Sequence, residues 1–90
     1  MKIIEASHIL VKSEALAEDL HKQITDGADF AELAAKYSVC PSKEDGGKLG
    51  EFSPGSMVKA FDNAAFELAP DQLSGIVQTK YGFHIIKRHA

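Results

Sequence analysis

Two histidines and one cysteine are the side chains here best suited to chemistry. His8 sits inside an apolar run from Ile3 to Val11, and His84 inside another from Phe83 to His89. Cys40, the only cysteine, lies between them in a stretch punctuated by proline and glycine. Three chemistries use these types. A zinc site draws on Cys and His, but three ligands without the usual close-spaced pairs argue against one. A cysteine nucleophile with a histidine base is the second; it also needs an orienting group and an oxyanion hole, which the sequence does not supply. The third makes no covalent bond to its substrate and uses the three groups as hydrogen-bonding and polarising partners.

Apolar residues cluster in Gly46–Phe61. Leu49 precedes a Ser53-Pro54-Gly55 turn, and Met57 and Phe61 follow it four residues apart, on one face of an expected helix. Among glycines, three such side chains can line a small apolar pocket, although apolar residues at this spacing are more often ordinary core.

These residues need a frame. Lys2–Lys12 reads as a long strand, apolar on both faces and therefore central. Ile4, Ala6, His8 and Leu10 share one of those faces. Ser13 caps a helix to about Asp26, with a Leu16, Leu20, Ile24 stripe and a stop at Gly27. Asp29 opens a second helix that buries Phe30, Leu33, Ala34 and Tyr37. Ser38–Lys48 reads as loop and Leu49–Phe52 as a short strand. Ser56 is expected to cap a third helix, Met57 to about Leu68, ended by Pro70. Leu73–Thr79 and Phe83–His89, joined by Lys80-Tyr81-Gly82, form a hairpin. The order is β-α-α-β-α-β-β, an α+β fold. If the last strand pairs with the first, His8 and His84 stand near each other on one sheet face; the alternative is two unrelated core histidines. His21 and His89 are expected in solvent.

Composition narrows the function classes. Ninety residues, 44% hydrophobic and 26% charged, suit one domain spanning 1–90. A net charge of -3 argues against nucleic acid as the main partner, which wants a concentrated basic face. No run approaches the roughly 20 apolar residues of a membrane span. The amino end is too short and too soon charged for a signal peptide. With one cysteine there is no internal disulfide, and the expected compartment is the cytoplasm. A monomer is expected, with no metal and no cofactor.

The motifs Ala6-Ser7-His8-Ile9-Leu10-Val11-Lys12, Gly27-Ala28-Asp29-Phe30, Tyr37-Ser38-Val39-Cys40-Pro41-Ser42, Gly46-Gly47-Lys48-Leu49-Gly50-Glu51-Phe52, Met57-Val58-Lys59-Ala60-Phe61 and Tyr81-Gly82-Phe83-His84-Ile85-Ile86 together resemble the parvulins, a family of peptidyl-prolyl cis/trans isomerases. The match runs from residue 3 to residue 88 in order. It implies a four-stranded antiparallel sheet surrounded by helices, parvulin/FKBP-like, and isomerisation of X-Pro bonds in unfolded or flexible polypeptide. By the resemblance, Leu49, Met57 and Phe61 match the proline pocket and Phe52 an aromatic flanking it. His8 and His84 match the facing histidines, and Cys40 the Cys or Asp beside the reacting bond. Thr79 matches a hydroxyl of the histidine network, while Tyr81 stands where relatives often have Ser. Phosphorylation-dependent relatives carry a long basic loop after the first strand. Here Lys12 runs straight into Ser13 and the only arginine is Arg88, so no phosphate requirement is expected. Lys43 and Lys48 are expected to flank the site. Two other readings remain: a peptide-binding or chaperone module with the same pocket and little catalysis, and a thiol-dependent hydrolase.

Overall fold

A computed structural model describes residues 2–90. Four strands form one antiparallel sheet in the order β2-β1-β4-β3, with β1 at Ile4–Val11, β2 at Lys48–Phe52, β3 at Leu73–Thr79 and β4 at Gly82–Arg88. The helices are α1 (Glu14–Thr25), α2 (Phe30–Tyr37) and α3 (Lys59–Glu67), with a short 3-10 helix at Pro41–Asp45. The outer strands shield β1 and β4, and β1 is buried at every position but Glu5. This is the β-α-α-β-α-β-β arrangement read from the sequence.

The alternation of β1 sorts the core into two layers. Ile9 and Val11 face α1 and α2, packing with Ala17, Leu20, Phe30, Ala34 and Ile85. Ile4 and Ala6 face α3, packing with Phe52, Phe61, Ala65, Leu68 and Ile86. Helix starts follow the caps expected for α1 and α2. The Ser13 hydroxyl accepts from Leu16 N–H at 3.2 Å, and the Asp29 carboxylate accepts from Glu32 N–H at 3.1 Å, each satisfying an otherwise orphaned first-turn donor.

Several boundaries differ from expectation. The first strand is shorter than Lys2–Lys12 at both ends, and the final strand runs Gly82–Arg88 rather than Phe83–His89. The segment read as loop contains the 3-10 turn, for which Pro41 sits in the first turn and Gly46, left-handed, makes the stop. The largest correction is α3. It starts at Lys59, its cap is Val58 with no capping side chain, and Ser56 lies in the preceding turn. Met57 is therefore not helical. The donor that needs a partner here is Gly55 N–H, and it goes to the carboxylate of Asp62.

The edge of β1 that leaves the β2 ladder is completed by loop. His8 N–H donates to Gly47 O at 2.9 Å, Leu10 N–H to the Ser38 hydroxyl at 3.0 Å, and Val39 N–H to Leu10 O at 2.8 Å. Segments 38–39 and 46–47 are thereby stitched beside His8 and Leu10, which carries Cys40 to the same place. Gly47 is required there: its φ is +89°, and a Cβ would fall 2.4 Å from the carbonyl oxygen of His8.

Candidate active site

A hollow of about 470 Å³ opens on the α3 side of the sheet. His8 and Leu10 of β1 and His84 of β4 line it, with Leu49 of β2, Met57 and Val58 of the loop before α3, and Phe61 of α3. Val39, Cys40 and Pro41 come from the loop stitched to Leu10, and Lys12 and Tyr81 from the rim. The lining is overwhelmingly carbon. Pieces from six separate parts of the chain thus converge, each fixed by the strand register or by a loop bond already described.

The register brings the histidines together. Leu10 faces His84 and His8 faces Ile86 across the β1–β4 ladder, which leaves the two rings diagonal neighbours on one face. Their Nδ1 atoms are 3.0 Å apart, and the rings stack with centroids 5.1 Å apart. Thr79 Oγ1 lies 2.7 Å from His84 Nε2 and accepts from Tyr81 N–H at 3.1 Å. Phe61 stands nearly perpendicular to both rings, 5.5 Å from His8 and 5.3 Å from His84. The same ring thus walls the hollow and packs the histidines.

Burial settles the charge of the pair. Desolvation, then the neighbouring His84, lowers the His8 pKa to about 4. Desolvation, then the Lys12 charge, lowers that of His84 to about 4. Both rings are neutral at pH 7. A neutral imidazole has one donor and one acceptor nitrogen, so of the two facing Nδ1 atoms one donates and the other accepts. The hydrogen-bond direction through His8, His84 and Thr79 is then common to all three. His8 Nε2 is buried and has no hydrogen-bond partner among the described residues.

Of the other expected site residues, Cys40 is half-buried, unpaired and in the wall of the hollow. Leu49, Met57 and Phe61 meet there across the turn. Phe52 does not reach it. It is 7% exposed, sits behind Phe61 with ring centroids 6.2 Å apart, and lines a shallower neighbouring hollow. Its alternation on β2 points it into the core. Tyr81 is half exposed at the mouth; its backbone serves the Thr79 network. Lys43 and Lys48 are exposed and do not line the hollow. The cation at its mouth is Lys12, whose ammonium donates to Tyr81 O, a residue the sequence reading treated only as the end of β1. Its place one residue past the end of β1, on the face of Leu10, was the available signal. His21 and His89 are half-buried rather than solvated: His21 Nε2 lies 3.0 Å from Ser74 O, and His89 Nε2 2.6 Å from the Ser7 hydroxyl. Both rings fold back onto polar groups of β1 and β3.

Three comparisons bear on this arrangement. Residues 7–90 match the rotamase family, described as the PPIC-type PPIase domain. The chain is 51% identical over 85 residues to foldase protein PrsA 4 of Bacillus cereus, an alignment that covers 93% of this chain and 30% of that protein. It is also similar to the crystal structure of a peptidylprolyl isomerase, PrsA, from Bacillus anthracis, with a TM-score of 0.96 at 45% identity over 98% of this chain and 41% of that one. The solution structure of NmPin, the parvuline of Nitrosopumilus maritimus, gives a TM-score of 0.90 at 36% identity and covers 100% of this chain and 98% of that one. The chain thus spans under a third of the curated relative's length and nearly all of the small parvulin.

Proposed function

The chain belongs to the rotamase family of PPIC-type peptidyl-prolyl isomerases, and from that membership we propose that it catalyses cis/trans rotation of X-Pro bonds in flexible or unfolded polypeptide at the hollow between β1 and α3. The observation that carries this reading is the meeting of Leu49, Met57 and Phe61 with Cys40 and the neutral histidine pair around one apolar cavity.

The chemistry asks little of the protein. Peptide rotation faces a barrier of about 18–20 kcal/mol because twisting the C–N bond destroys amide resonance. A thousandfold acceleration needs only about 4 kcal/mol of selective stabilisation of the twisted state. Leu49, Met57 and Phe61 hold the pyrrolidine ring while the preceding carbonyl turns. The twisted amide is less polar than the planar one, so a carbon-lined, dry site favours it. Cys40 acts as a polar neighbour to the turning carbonyl, not as a nucleophile, since a barrier of this size does not demand a covalent intermediate. The histidine pair and Thr79 hold β1, β4 and Phe61 in register beneath the site.

Phosphate is not required. An anion clamp wants converging guanidinium groups. Arg88 instead serves the far end of β4, where it donates to Leu68 O and Ala90 O. Monomeric state and cytoplasmic placement belong to the same proposal, the first supported by a sheet covered on both faces within one chain.

A second reading has its own support: the Bacillus cereus relative is called a foldase and is about three times longer than the matched region. In such a setting the cleft would serve chiefly to hold proline-containing segments. A protease-coupled assay on a short Ala-Pro peptide separates the two. Catalysis accelerates the slow phase in proportion to protein concentration; peptide binding with an unchanged slow phase favours the holding module.

A further inference from the structure

Met57 walls three hollows at once. One face closes the candidate active site. Its others border a cavity of about 580 Å³ between Pro54, Gly55, Asp62 and Phe66, and the shallower hollow beside Phe52. It packs on the core beneath α3, has open space on those other sides, and lies outside α3 in a segment without regular structure.

What fastens that segment is Asp62. Its carboxylate Oδ2 accepts from Gly55 N–H, and its own N–H donates to Val58 O at 3.0 Å. The two bonds bracket Gly55–Val58 at both ends and tie it to the helix that carries Phe61. Gly55 sits at φ +93°, a backbone conformation that favours glycine. Asp62 is only 9% exposed and its Oδ1 has no partner. An apolar side chain there would leave Gly55 N–H without its partner, whereas an oxygen acceptor at the start of α3 reaches it from the helix that carries Phe61.

We propose that Asp62 is a positioning residue for the isomerase reaction, acting through Met57: it holds the Gly55–Val58 segment so that Met57 closes on the proline ring opposite Phe61. This rests on the isomerase reading above. It predicts a loss that appears in substrate binding, vanishes when Met57 is already truncated, and is spared when an oxygen acceptor remains.

The test is a double-mutant cycle in kcat and KM for an Ala-Pro peptide. Asp62→Ala is expected to raise KM about tenfold with kcat changed less than about twofold, the pattern of lost uniform binding. Asp62→Asn, which keeps an oxygen acceptor, is expected to stay within about threefold of the parent. On a Met57→Ala background the Asp62→Ala effect is expected to shrink below about twofold. Should Asp62→Ala not fold, Asp62→Ser, too short to reach Gly55, takes its place. Exchange of the Gly55 amide proton is expected to speed up in the Ala or Ser variant and not in Asn. Additive losses in the cycle, equal losses in Asn and Ala, or unchanged kinetics would each overturn the proposal. An inactive parent protein would sink the isomerase reading with it, whereas a normal parent with an indifferent Asp62→Ala would sink this proposal alone.

Discussion

The Nδ1 atoms of His8 and His84 face each other at 3.0 Å, and a single aromatic ring, Phe61, stands perpendicular to both. The pair and Phe61 line the same apolar cleft. Disturbing the histidines therefore moves the cleft, and a merely structural pair can still have consequences for activity.

The pair makes stability depend on pH. Both folded-state pKa values, about 4, lie below the ordinary 6.5. On acidification the unfolded chain takes up protons first, so stability is full above about 6.5 and falls as pH drops toward 4. The loss should reach roughly 3 kcal/mol for each histidine at the acid end, about 6 kcal/mol for the two together, by the usual 1.36 kcal/mol per pH unit of mismatch. Thermal melts from pH 7.5 to pH 4 check it. A His84→Ala variant should be destabilised at pH 7 and show a flatter profile; an unchanged slope would mean the pair is not responsible.

Gly47→Ala should be severely destabilising although Gly47 touches no substrate. The added methyl would sit against the His8 carbonyl, at a positive φ, and would break the 2.9 Å bond from His8 N–H to Gly47 O. A cost of about 2–4 kcal/mol is expected from strain and the lost bond together, read as a drop in the urea midpoint. A control at Gly27, where a Cβ meets nothing within 4 Å, should cost only the positive-φ strain of about 1 kcal/mol.

Cys40→Asp should keep most of its isomerase activity, because the proposed role is that of a polar neighbour at the carbonyl. A fall to the uncatalysed rate would instead require attack by the thiol. Steady-state assays with this variant beside Cys40→Ala separate the two outcomes, and ester turnover by the parent protein would revive the hydrolase reading.

Phosphorylation of the residue before proline should bring no gain. Lys12 is the one cation lining the cleft among the described residues, and it is engaged with Tyr81 O. A phosphoserine-proline peptide should be turned over no faster than its Glu-Pro counterpart; a hundredfold preference would contradict the reading.

The sheet, α1 and α2 were legible in the sequence because their signals are local. Alternation places Ile9 and Ala6 on opposite faces of β1, and Ser13 and Asp29 bond to the third residue beyond them as their types suggest. The α3 boundary was not, because Ser56 carries a cap's chemistry while the donor that matters, Gly55 N–H, is met from seven residues away by Asp62. His21 and His89 were misjudged, and Lys12 passed over, for the same reason: each is placed by a partner distant in sequence, Ser74, Ser7 and Tyr81 respectively. Phe52 fell on the wrong side of Phe61 because motif order says nothing about depth. The spacing of Leu49, Met57 and Phe61 left a pocket and ordinary core both open, and the family resemblance placed Cys40 beside them; strand register and the Leu10–Val39 stitch bring the four together.

The most direct measurement is exchange spectroscopy on an Ala-Pro peptide with protein at about a hundredth of its concentration. Without catalyst, X-Pro exchange takes tens to hundreds of seconds and gives no cross-peaks between cis and trans signals. The account predicts cross-peaks with the parent protein and their marked weakening with Met57→Ala at an unchanged fold. Parent protein that gives no cross-peaks, while the peptide visibly shifts the signals of Met57 and Phe61, would contradict it.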